Sequence, residues 1–123
     1  MRAERDFWRL LSDYERLTQN ETVSLVAENF SEVDAIQTCK DALLVKLSLF
    51  ATEAGLDRRN RELSRRIDLV LDGERGNEKL VAAMVARAAM ERQSLEAARL
   101  RLRELGSIYV HEKSERQSFS ALV

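Results

Sequence analysis

Cys39 and His111 are the chain's one cysteine and one histidine, and any nucleophilic or metal-assisted reaction would have to start from them. A zinc site needs three or four converging N, S or O ligands. Neither residue has a Cys or His neighbour at ligand spacing. A thiol nucleophile also needs an adjacent base to become reactive. Carboxylates are numerous, but they follow helical charge patterning, which a solvated face explains. Gly73 and Gly76 lack the Lys-Ser/Thr that completes a phosphate-binding loop. The chain is therefore expected to have no catalytic residue, no cofactor and no metal, and not to be an enzyme.

Three other groups of polar residues need a reading. Arg58, Arg59, Arg61, Arg65 and Arg66 form a basic run, but Asp57, Glu62 and Asp68 dilute it and no aromatic residue is interleaved. A solvated helix face accounts for it better than nucleic-acid contact. Lys40, Glu91 and the stretch Gln19–Glu21 fall where a tight bundle would place apolar side chains. Either the helices splay there, or Lys40 snorkels past Cys39 and Leu44, or Lys40 and Glu91 pair across neighbouring helices and set register. Met84 and Met90 suit either an ordinary core or an adaptable surface for a partner helix.

The elements that would position these residues are helices. Of 123 residues 45% are hydrophobic and 33% charged but only 6% aromatic, and none is proline. That balance suits long helices, because proline removes an amide donor and clashes with the preceding turn. Glycine occurs only at positions 55, 73, 76 and 106. The net charge of −1 supplies no field to attract nucleic acid. Residues 1–50 hold six Lys/Arg against nine Asp/Glu, and the remainder fourteen against twelve, which is too even to name a partner. A lone cysteine suits a reducing compartment. The N-terminus carries no signal-like apolar run and no stretch is long enough to insert into a membrane, so a cytoplasmic location is expected.

Apolar steps of three and four run through Phe7, Leu10, Leu11, Tyr14 and Leu17, one face of a first helix over about 2–28. A boundary follows near Asn29–Ser31, with Ser31 as the candidate cap and Asp34 three residues on. Val33, Ile36, Lys40, Leu43, Leu47, Phe50 and Ala54 make a heptad seam with one charged intruder. Gly55 either breaks or kinks this second helix, Asp57 is available to cap a continuation through Leu63, Ile67, Val70 and Leu71, and the element is expected to reach about residue 72. The segment Asp72–Asn77, with two glycines, predicts the chain's clearest turn. A third helix over 76–112 then carries Val81, Met84, Ala88, Glu91, Leu95, Ala98, Leu102, Leu105 and Tyr109 at heptad spacing. The fold expected is all-α: an elongated antiparallel bundle of three long helices packed like a coiled coil, one domain over 1–112, with a flexible tail at 113–123.

The run Glu28-Asn29-Phe30-Ser31-Glu32-Val33-Asp34-Ala35-Ile36, followed by Lys40, Leu43, Leu44 and Leu47, resembles the early segment of the flagellar hook–filament junction chaperones, the FlgN-like family. Asn77 with Leu80 is similar to that family's turn into its last helix, and Leu105 through Tyr109 to its closing element. The resemblance implies a cytosolic type III export chaperone that serves flagellum biogenesis. It would bind the terminal helices of hook-associated (filament-junction) proteins, prevent their premature assembly and deliver them to an export gate component. It places protein binding on the last helix, at Val81, Met84, Val85, Ala88, Leu95, Ala98, Leu102, Leu105 and Tyr109. The competing reading is a self-associating coiled-coil or adaptor protein, a homodimer, with no export role. Neither reading includes nucleic-acid binding or membrane insertion.

Overall fold

Local hydrogen bonding decides where each helix starts and stops. The computed structural model describes the backbone of residues 2–122 and the side chains of residues 2–108. It contains three helices: α1 (Arg2–Val26), α2 (Phe30–Ala54) and α3 (Arg61–Leu122). α1 closes with the Asn29 N–H on the Ser24 carbonyl at 2.9 Å and the Glu28 N–H on that of Leu25 at 3.0 Å. This is a Schellman ending, in which the residue after the cap turns left-handed. Here that residue is Glu28, at φ 58°. α2 then starts from Asn29, whose Oδ1 accepts from the Glu32 N–H at 3.3 Å while its Nδ2 donates to Glu32 Oε2 at 2.9 Å. Ser31, the expected cap, instead lies in the first turn and donates to Asn29 Oδ1.

Gly55 breaks the second helix rather than kinking it. It sits at φ 68°, and the amides of Gly55 and Leu56 cap the carbonyls of Thr52 and Ala51. α3 starts at Asn60, whose Oδ1 accepts from the Leu63 N–H at 3.1 Å. Asp57, the expected cap, instead holds the Arg59 N–H at 2.9 Å within the connecting loop.

The expected turn at Asp72–Asn77 does not form, because α3 runs straight through both glycines. Glycine in a helix costs only about 1 kcal/mol relative to alanine. Buried contacts on either side, from Leu63 through Ile67 and Val70 to Asn77, outweigh that cost. Gly73 has a packing reason as well, since a Cβ there would lie 3.1 Å from Thr18 Cγ2. α3 also continues past its expected end near residue 112.

The chain divides into two compact units, Met1–Ala83 and Met84–Val123. The first is an antiparallel three-helix bundle of α1, α2 and residues 61–83. Its core is Phe7, Leu11, Leu47 and Leu63, with Trp8, Leu10, Tyr14, Phe50, Ala51, Leu56, Ile67 and Val70 packed around it. Both seams read from the sequence point inward: Val33, Ile36, Lys40 and Leu47 of α2 are buried, as are Phe7 and Leu11 of α1. In the second unit every described side chain up to Ile108 is exposed except Met84 and Ala98, which are half-buried. Among the described residues, no helix is long and apolar enough to cross a membrane.

Candidate protein-binding surfaces

Above its apolar core the first unit carries a buried polar layer. Lys40 is 5% exposed, and its Nζ donates to Glu74 Oε1 and lies 3.5 Å from Glu21 Oε1. The ammonium also sits 5.0 Å from the centre of the Tyr14 ring, in cation–π range. Tyr14 Oη donates to Glu74 Oε1 at 3.1 Å, and Thr18 Oγ1 donates to the same atom at 3.4 Å. Asn77 Nδ2 donates to Glu21 Oε1 at 2.8 Å and to the Thr18 carbonyl, while Asn77 Oδ1 accepts from Thr22 Oγ1. Among the described residues no buried side-chain nitrogen or oxygen lacks a partner. A layer satisfied in this way fixes which residues of the three helices face one another, because any slip would strand a charge.

The layer disposes of the pairing of Lys40 with Glu91. Lys40 draws one partner from the polar stretch of α1 and the other from α3, whereas Glu91 is exposed in the second unit. Burial pushes the Tyr14 hydroxyl well above its ordinary pKa of 10.0. The Glu74 carboxylate and the hydrogen bond to it add to this, followed by Glu21 and Asp41. The phenol therefore stays a protonated donor. The basic run is drawn into acid pairs: Arg66 bonds Glu15 and Ser12 and stacks on Trp8, Arg65 pairs with Glu62, and Arg58 with Asp68. Among the described residues no group of three His, Cys, Asp or Glu side chains is placed to hold a metal ion. Cys39 is exposed, and the His111 side chain lies outside the described residues.

Within the same unit a groove lies between α2 and residues 61–82 of α3. One end, about 530 Å³, is apolar and lined by Phe7, Leu11, Leu44, Leu47, Ile67 and Leu71, among others. The other end, about 510 Å³, is lined by Glu21, Lys40, Asp41, Glu74 and Glu78, with Val81 and Ala82. Tyr14 and Glu74 line both ends. The sequence reading missed this groove. Its only trace there was Leu44, an apolar residue off the α2 seam.

The binding residues read from the sequence are distributed as follows. Val81 belongs to the first unit and lines the groove's acidic end. Met84 and Ala98 are half-buried, and Val85, Ala88, Leu95, Leu102 and Leu105 are exposed. The Tyr109 side chain lies outside the described residues. Leu95 is 57% exposed, Leu102 67% and Leu105 62%, so the heptad seam is an open apolar stripe.

The chain is an all-α helical bundle protein whose last helix carries an uncovered heptad seam. Compared with known proteins, the chain matches no family model, no curated protein and no solved structure.

Proposed function

We propose that this chain is a binding protein rather than a catalyst, and that it holds an apolar helix of another protein along the seam of α3. The carrying observation is the exposure of Leu95, Leu102 and Leu105 at heptad spacing. An apolar stripe of this kind in water calls for a partner, and an amphipathic helix laid along it is a recurring mode of recognition. Met84 and Met90 supply side chains that repack easily around a foreign surface.

The resemblance in residues 28–47, 77–80 and 105–109 gives that partner a class. It would be the terminal helix of a flagellar hook-associated protein, held in the cytoplasm against early assembly and passed to a type III export gate. The test is co-purification from the protein's own cytosol, with partners identified by mass spectrometry. Recovery of a hook-associated protein with the wild-type chain, and its loss with Leu95→Asp/Leu102→Asp, is the expected outcome. Recovery of no such protein, or equal recovery with the double variant, would overturn the assignment.

A further inference from the structure

We propose that two copies of this chain associate by each laying its Leu95–Leu105 seam into the other's groove between α2 and α3. Charge and length both select this occupant. The groove has carboxylates on both walls: Asp41 on α2, and Glu74 and Glu78 on α3. The seam has guanidiniums on both flanks. At about 3.6 residues per turn, Arg99 and Arg103 fall on one side of the Leu95–Leu102 line and Arg101 on the other.

None of Asp41, Glu78, Arg99 and Arg103 has an ion-pair partner among the described residues. Four carboxylates against one ammonium line the acidic end of the groove, and residues 84–108 hold five arginines against three glutamates. The α2 wall from Gln37 to Ala51 is about 21 Å long and the helix from Leu95 to Ile108 about 20 Å, at 1.5 Å per residue. Laid parallel to α2, the seam brings Leu102 and Leu105 to the apolar end of the groove, and Leu95 with Arg99 to the acidic end.

The contact is isologous, each copy giving one seam and receiving one. It differs from a seam-to-seam coiled coil, which would leave the carboxylates of the groove without the arginines. The inference does not depend on what the seam holds in the cell. A cargo helix would compete for the same stripe.

The experiment is light scattering on the purified full chain over a dilution series, with no other protein present. The wild type is expected at twice 14.1 kDa when concentrated, falling toward 14.1 kDa on dilution. Arg99→Glu/Arg101→Glu/Arg103→Glu and Asp41→Lys/Glu78→Lys are each expected to remain at 14.1 kDa alone, and to regain the doubled mass when mixed. Unchanged circular dichroism and Trp8 fluorescence certify that each variant is folded. Should the groove variant fail that control, the seam variant, altered only on an exposed helix, decides alone. A wild type that stays at 14.1 kDa at every concentration overturns the proposal, as does a doubled mass unaffected by the charge reversals.

Discussion

Replacing Lys40 with methionine removes the cation that two buried or half-buried carboxylates share. Deleting one partner of a buried ion pair costs about 3–5 kcal/mol, because the other charge is left without compensation. The geometry places this case at the lower end. The Glu74 side chain is 30% exposed and keeps the Tyr14 and Thr18 hydroxyls, so water can reach it. Glu21 has only 5% of its side chain exposed, and would keep only the Asn77 amide. A loss of about 3 kcal/mol follows. Adding Glu21→Gln removes the stranded charge while preserving an acceptor for Asn77, and should recover about 2 kcal/mol. The assay is urea unfolding followed by fluorescence of Trp8, the chain's one tryptophan, which packs against the core of the first unit. With a slope of about 1.5 kcal/mol/M, the Lys40→Met midpoint falls by about 2 M at unchanged slope. A Lys40→Met protein as stable as the wild type, or more so, would refute the claim that the layer is held by its charges. A double variant no better than the single would refute the assignment of Glu21 as the stranded partner.

Gly55→Ala should cost about 1 kcal/mol in the same assay, from the left-handed backbone alone, because nothing lies within 4 Å of the added Cβ. Gly76→Ala should stabilise by about 1 kcal/mol, while Gly73→Ala should show none of that gain because its Cβ meets Thr18; equal gains at both would contradict the close approach. Tyr14 has its pKa raised in the fold, so above pH 10 the unfolded chain releases a proton that the folded chain keeps. Its contribution is therefore complete below pH 10 and declines above it, and Tyr14→Phe should flatten the alkaline fall in urea midpoint.

What could be read from the sequence follows from how far each signal reaches along the chain. The α1 and α2 seams were legible because heptad spacing is local, and Val33, Ile36 and Leu47 are buried where that spacing puts them. Gly55 was legible as an interruption because a left-handed cap is a single-residue property. Gly73 and Gly76 misled because the same residue type serves both turns and close helix contacts, and only Thr18, distant in sequence, decides between them. Lys40 was legible as an intruder, but its partners were not. Periodicity marks a polar residue in a seam without saying which helix carries the opposing charge. The same holds for the groove, whose walls come from α2 and α3 and whose floor comes from Phe7 and Leu11 of α1. Choosing Ser31 over Asn29 as the cap was a smaller miss, since both residue types cap well and the left-handed Glu28 sets which one is placed to do so.

Whether the α3 seam holds a partner helix is decided by amide hydrogen exchange along the chain. The exchange is measured with and without a purified hook-associated protein at saturating concentration. Slowed exchange over residues 84–108, abolished by Leu95→Asp/Leu102→Asp, is the expected result. Unchanged exchange across that stretch, or protection confined to residues 2–60, would contradict it.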